Sequence, residues 1–470
     1  MVGMAVLDEG SSVASSPLQF LSLMSISRTA LAAGGGSPVV AQEMKSDERG
    51  IFLIHLLLNC ANYVAAGDLE HANACLEHIA LLGASPDGDT MQRIAALFTD
   101  ALARRLLRSS WPGIFRAITT TSSGGGGGGA TTAAPSPAPA ALLARRHFFD
   151  LCPFLKLSYV IANQAILEAM EGEHVVHLID LHAADPSPWI ALLQALSRRP
   201  EGAPHLRITG VHDQREVLEL VASRLSDEAE KLDVPFQFNA VVSKLEDLDA
   251  ERSLRVKTGE AVAVCSILQL HRLLAPDSYR KPSSPSRCSV LRSGDSGVSS
   301  APPPSCSTRM DAFLAALWGL APKIMVVAEQ ESDHNGGSLV ERFTEALNYY
   351  AALFDCLESA AAAAGRGEER ARVESTLFGE EMRDIVAAEG AERRERHERL
   401  DRWLRRMESA GFLRVPLSYY ALLQARRLLQ QGYGGCGGYG VREEAGGCHA
   451  LCWQDRALFS VSAWRCRRFD

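Results

Sequence analysis

The sequence predicts an α/β fold, a mostly parallel sheet with helices on both faces and a helical region ahead of it. Three observations carry that expectation. Five largely apolar runs of strand length follow one another between Val175 and Gln330. Helical periodicity fills the gaps between them, which is the alternation that parallel strands with covered faces require. Ahead of them, from Ile51 to Met170, apolar residues recur at helical spacing.

Taken in order, residues 1–47 are rich in Ser, Ala and Gly and read as a disordered tail. Two amphipathic helices cover Ile51 to Ile79, broken at Gly67-Asp68. A third is capped by Asp89 or Thr90 and buries Met91, Ile94, Phe98, Leu102 and Leu106. Two more fit Ala141–Phe149 and Tyr159–Met170. The strands are Val175–Asp180, Leu206–His212, Phe236–Ser243, Ala261–Leu270 and Lys323–Gln330, followed by weaker ones at Ala450–Trp453 and Leu458–Arg465 that suit an antiparallel hairpin at a sheet edge. Between strands, Ser187-Pro188, Asp213 to Glu216 and Ser338 to Glu341 carry helix-start signals. Stretches near 119–140, 276–307 and 431–447 read as low-complexity insertions within one domain of residues 48–468, mainly helical over 48–170 and α/β over 171–468.

The 470 residues are 47% hydrophobic and 22% charged, enough for a large core. A net charge of −8 gives no general attraction to nucleic acid, so DNA contact would need a local basic patch or a basic partner. Eleven scattered cysteines read as reduced core thiols, not as a disulfide frame. No unbroken apolar run is long enough to predict a membrane span.

The segment Val175 to Trp189 has the order of a cofactor cradle: strand, loop, helix N-terminus. Its loop, Leu181-His-Ala-Ala-Asp-Pro-Ser187, has no glycine, two prolines remove amide donors, and Asp185 stands where a pyrophosphate would lie. No dinucleotide or adenosylmethionine cofactor is expected, and no catalytic residue, since no nucleophile elbow, phosphate loop or paired metal-binding histidines occur. His177 and Asp180 read either as a site at the strand end or as a satisfied core histidine and a loop brace, and the second reading is preferred. Cys448, His449 and Cys452 lack a second ligand pair, so no metal is expected. Arg393 to Arg406 reads as a solvated amphipathic helix rather than a phosphate-contacting one. Leu53, Leu56 and Leu57, and again Leu270, Leu273 and Leu274, match a Leu-x-x-Leu-Leu partner-docking pattern that any core helix also offers.

Five motifs in order resemble the plant GRAS family over about residues 48 to 468. Val175-Val-His-Leu-Ile-Asp180 is close to the family's VHIID signature, with leucine-rich regions on either side. Pro235-Phe236 opens the PFYRE-like region, Arg393-Arg-Glu-Arg396 resembles the RVER motif with Arg394 for its apolar residue, and Trp453 through Trp464 looks like the SAW motif. Segments 85–94 and 207–212 look most like one branch of the family. The resemblance implies a methyltransferase-like Rossmann core with a helical cap. It also implies a nuclear transcriptional regulator that pairs with other GRAS proteins and with zinc-finger DNA-binding proteins, linked to gibberellin signalling and root development. His177, Asp180, Pro235, Phe236, Arg393, Arg396, Trp453 and Trp464 are then motif residues with structural or partner-binding roles, the two tryptophans more in core and edge packing than as hot spots.

Overall fold

The computed structural model describes residues 45–123, 137–276, 308–433 and 437–466. The expected tail therefore lies outside the described residues up to residue 44, as do residues 124–136 of the first expected insertion and all of the second after Pro276. The flanks of the first insertion are helical, because α4 (Pro112–Ser123) and α5 (Pro137–Leu151) run into it. The chain divides into two compact units.

The first unit holds α1 (Ser46–Ala66), α2 (Leu69–Leu81), α3 (Thr90–Ser110) and α4, together with residues 347–359. Gly67, in the left-handed region at φ 75°, ends α1, and Asp68 caps α2 by accepting the amide of His71. Asp89 closes a reciprocal capping box with Gln92 at the start of α3, both bonds 2.9 Å. All five apolar residues expected inside α3 are buried. Arg93 is buried among them, paired with Glu358 at 2.5 Å. Residues 48–66 are long and apolar enough by composition to cross a membrane, yet Leu53, Ile54, Leu57, Cys60 and Ala61 of that helix have no exposed surface.

The second unit is built on one sheet that has nine strands among the described residues, β1 (Val175–Asp180), β2 (His205–His212), β3 (Phe236–Val242), β4 (Ala261–Ile267), β5 (Ile324–Gln330), β6 (Phe412–Val415), β7 (Tyr439–Glu444), β8 (Cys448–Trp453) and β9 (Arg456–Cys466), in the order β3-β2-β1-β4-β5-β9-β8-β7, with β6 also paired to β9. Strands β1 to β5 are parallel to one another. Helices α6 (Phe154–Ala169), α7 (Ser187–Leu196) and α8 (Arg215–Lys231) join α5 in this unit, with α9 (Arg309–Gly319) before β5. Both α5 and α6, which lie ahead of residue 170, belong to this unit, because they pack with the sheet. Phe148 meets Phe378 and Phe459, and Phe154 meets Tyr439 and Phe459, through their rings.

The antiparallel end is larger than the expected hairpin. β9 (Arg456–Cys466) lies inside the sheet, against β5 on one side. On its other side β8 (Cys448–Trp453) and β6 (Phe412–Val415) share its length end to end. β7 (Tyr439–Glu444) forms the edge, so the glycine-rich stretch near 431–447 is partly a strand and its turn, not an insertion. Two helix starts also differ from expectation. The N-cap of α7 is Pro186, which has no side-chain bond to give, and Asp185 just ahead of it accepts the Ser187 amide at 2.8 Å, so Ser187 is already helical. Asp213 does not cap α8; Gln214 occupies that position without a side-chain bond. The core below β1, β4 and β5 gathers Ile179, Val264, Phe313, Met325, Trp403, Phe412 and Trp464.

Candidate functional site

Ligands of open α/β sheets sit beyond the carboxyl ends of the parallel strands. Here that edge is occupied by the chain's own polar groups. At the end of β1, Asp180 is buried. One carboxylate oxygen accepts the His182 amide at 3.0 Å and the other the Trp189 indole N–H at 2.7 Å. Burial pushes this carboxyl up to about 6 despite those two donors. The loop it braces is held further by Ala183 N–H to Val211 O, by Asp185 accepting the Ser187 amide, and by an Arg146–Asp185 ion pair at 3.3 Å. Gly210 of β2 gives this loop its room, since a Cβ there would lie 2.7 Å from both Ala183 and Phe238.

His177 lies further back along β1 and takes no part in that edge. Its Nε2 donates to Thr209 at 2.8 Å and its Nδ1 accepts from Arg207 at 2.9 Å. Glu260 pairs with the same guanidinium at 2.5 Å. Burial first, and then the Arg207 charge, lower the imidazole to about 4, so it is neutral. The sequence singled out His177 and Asp180 together; the structure gives them separate tasks in one strand.

At the ends of β4 and β5 the network is denser. Glu329, the sixth residue of β5, accepts the amides of Gln269 and Leu270 and the Nδ1–H of His271. His271 Nε2 faces Glu395 at 2.9 Å. Burial opposes charge on this histidine, but Glu329 and Glu395 outweigh it and hold it up at about 9. Residues 393–399 are not helical; the basic helix α12 begins only at Leu400 and ends at Ser409, counting α10 (Leu339–Ala364) and α11 (Gly379–Ala387) before it. This RVER-like segment works as a clamp. Arg393 donates to the carbonyls of His334 and Gly336. Arg396 donates to Arg393 O, Asn335 Oδ1 and Gly390 O. Both guanidiniums are almost wholly buried, which charged groups tolerate only when bonded in this way. Glu398 takes a two-pronged bond from Arg406 at 2.6 and 2.7 Å. The arginines of α12 are committed too, Arg402 to Asp333 and Arg405 to Asp401, with Arg399 just ahead bonded to Glu345.

The remaining sequence-predicted residues are scattered. Pro235 opens edge strand β3 and its carbonyl accepts the Leu206 amide, while Phe236 pairs with Leu206. Trp464 is fully buried between β5 and β6, its indole bonded to Ser462. Trp453 packs on Tyr439 at 4.8 Å and covers Gly438, where a Cβ would lie 2.6 Å from the ring. Leu53, Leu56 and Leu57 are buried in the first unit, and Leu270 and Leu273 in a 3-10 turn of the second, with Leu274 partly so. Neither leucine motif presents a docking face, because the residues a groove would receive are already core. Cys448, His449 and Cys452 lie on β8 and are buried without converging on one another. The sequence reading does not single out His271, Glu329, Glu395 or His397 as site residues. The signal that could have found them is a charged or imidazole side chain inside an apolar run, as in Ile324 to Glu329 and Leu270 to Leu274.

With this architecture and these motifs in place, the chain belongs to the GRAS domain family of plant transcriptional regulators, whose model matches residues 53–465. It is 53% identical to Scarecrow-like protein 3 of Arabidopsis thaliana over 504 aligned positions, covering 100% of each chain. That is the branch resembled by segments 85–94 and 207–212. GRAS family protein TF80 of Medicago truncatula is 41% identical, with 91% of this chain and 98% of that one covered. DELLA protein RGL1 of Arabidopsis thaliana is 36% identical over 91% of this chain and 72% of its own length. The crystal structure of SCL7 in Oryza sativa superposes with a TM-score of 0.69 at 32% identity, covering 88% of this chain and 99% of that one.

Proposed function

We propose that this protein is a nuclear transcriptional co-regulator that acts through protein–protein contacts with DNA-binding partners and not through catalysis. The observation that carries the reading is the filled carboxyl edge of the sheet. Asp180, Glu329, Arg393 and Arg396 are the groups an enzyme would aim at a ligand, and here each is bonded to backbone or to a neighbouring side chain. The loop after β1 has no glycine cradle, and the first amide of α7 is taken by Asp185.

What the surface offers is apolar instead. In the first unit Trp111, which ends α3, and Ile114 and Ile118 of α4 are about half exposed. In the second unit Tyr419, Tyr420 and Leu423 stand out at the start of α13 (Tyr419–Gly432). Exposed aromatic clusters of this kind suit protein partners. By analogy with the family these partners are other GRAS proteins and zinc-finger DNA-binding proteins, and the DELLA relatives support a setting in gibberellin signalling and in root or general development.

Direct sequence-specific DNA binding is the second reading. The ion-paired arginines of α12 and the net charge of −8 weigh against it. A gel-shift assay with the purified chain separates the two. Co-regulation expects no shift by the chain alone and a supershift when a DNA-binding partner is added; a strong shift without a partner overturns it. Calorimetry with adenosylmethionine tests the enzymatic alternative, for which micromolar binding would be the supporting result.

A further inference from the structure

The clamp formed by residues 393–399 leaves one arrangement that its hydrogen bonds do not explain. His271 Nε2 and His397 Nε2 both face one oxygen, Glu395 Oε2, at 2.9 and 3.3 Å. The two imidazole rings lie 4.2 Å apart, centroid to centroid. The His271 contact is a hydrogen bond. His397 Nε2 is fully buried, and the 3.3 Å approach to Glu395 is the one polar contact open to it among the described residues. A buried ring nitrogen left in that state is costly, and it points at the same spot as its two neighbours.

We propose that His271, Glu395 and His397 form a binding site for a divalent transition metal of the zinc class. The donor set, two imidazole nitrogens and one carboxylate oxygen, is a usual one for zinc. Nitrogen and oxygen ligands about 2.0–2.1 Å from a tetrahedral ion stand roughly 3.3 Å from one another. The two contacts to Glu395 fall close to that separation, and all three donor atoms lie within 4.8 Å.

The groups behind the donors strengthen the assignment. A ligating histidine normally has its other nitrogen held by a carboxylate or another polar group, which fixes the ring. Glu329 holds His271 Nδ1 at 2.7 Å and is itself fixed by the Gln269 and Leu270 amides at 3.1 and 2.8 Å. His334 holds His397 Nδ1 at 2.9 Å and is fixed in turn by Ser332. Both rings are therefore turned so that Nε2 faces inward. Two carboxylates, Glu329 and Glu395, meet in this buried space, and Arg272 approaches only the other oxygen of Glu395, at 3.6 Å. On binding, the ion takes the place of the proton between His271 Nε2 and Glu395, and that proton is released to solvent. The site ties the turn after β4 to the clamp segment, so its role is to hold that end of the sheet closed. It departs from the metal-free expectation drawn from sequence and does not depend on the co-regulator reading.

The test uses the full-length chain, purified without an affinity tag that binds metal. Elemental analysis after gel filtration is expected to find about one zinc per chain. Dialysis against a chelator followed by cobalt alone is expected to give visible d–d absorption that zinc abolishes. H397Q and E395Q remove both signals, while H449Q, at a buried histidine on β8, keeps them. If the clamp variants do not fold, X-ray absorption at the zinc edge of the unaltered protein decides: nitrogen and oxygen neighbours without sulfur support the site. Sulfur neighbours would place the metal on cysteines and overturn it. Metal-free protein that also gives no cobalt spectrum overturns it too and leaves a proton between His271 and Glu395.

Discussion

Asp180 and Trp189 are joined by a 2.7 Å hydrogen bond from indole to carboxylate, across the loop that follows β1. The bond ties the last residue of β1 to the first turn of α7, and both partners are buried. W189F keeps the ring volume but removes the donor, leaving a buried carboxylate oxygen short of a partner. The expected loss is about 1–3 kcal/mol of stability, read from urea unfolding midpoints. A midpoint equal to that of the unaltered chain would show that the brace contributes nothing.

Two residues of β1 should give opposite pH dependences. Asp180 sits at about 6 in the fold against an ordinary 3.8, so the folded state holds that proton more tightly. Its contribution is fully present below about pH 3.8 and is lost as pH rises through about 6. His177 is lowered to about 4 from 6.5. Its contribution is present above about pH 6.5 and is lost as pH falls through about 4. D180N is therefore expected to remove a decline in stability between pH 4 and 6 of up to roughly 3 kcal/mol, at about 1.4 kcal/mol per unit. H177Q is expected to relieve part of the acid-side loss. Urea unfolding at intervals from pH 4 to 7 measures both, and parallel profiles for all three proteins would contradict the assignments.

The clamp arginines should be far less replaceable than those of α12. Arg396 spreads its guanidinium over three acceptors from two segments, a fork that a lysine ammonium cannot copy. R396K is expected to cost about 1–3 kcal/mol. R405K, at an exposed position paired only within its own helix, is expected to stay within about 0.5 kcal/mol. Equal effects in the same unfolding assay would argue that the clamp is not what holds the loop after β5.

Gly438 is needed for room. Its backbone runs so close under the Trp453 ring that an added Cβ would lie 2.6 Å from it. G438A should shift the ring and loosen the β7–β8 edge, at about 1–3 kcal/mol. Near-ultraviolet circular dichroism and thermal melting follow the change, and an unaltered aromatic spectrum would be the contrary result.

If partners dock on exposed aromatics, W111A with I114A, or Y419A with Y420A, should weaken capture of a partner about tenfold or more while leaving the melting temperature unchanged. Loss of stability in step with loss of binding would point to folding instead of docking.

Much of this fold was legible because burial on both faces writes itself as apolar runs. β1 was placed to the residue, and β2 through β5 to within a few positions. β6 and β7 escaped because one is only Phe412–Val415 and the other, Tyr439–Glu444, is an edge strand that ends in three consecutive charged residues. The clamp escaped for a different reason. Arg393 to Arg399 has the composition of a solvated helix, and only the three-dimensional course of the loop after β5 turns Arg393 and Arg396 inward. The burial of the leucine motifs was not legible because their spacing describes a core face and a partner face equally well.

The placement of β9 sets an order on folding as the chain leaves the ribosome. β5 ends at Gln330, and its open edge has no partner until Arg456 to Cys466 emerge. β6 also waits for that same strand, and the β7–β8 hairpin can join the sheet only through it. A nascent chain stopped anywhere in that interval carries an unpaired, apolar central strand, the kind of edge that chaperones cover and that aggregates when they do not. Loss of β9 should therefore reduce the amount of protein in the cell before it reduces any particular contact the protein makes.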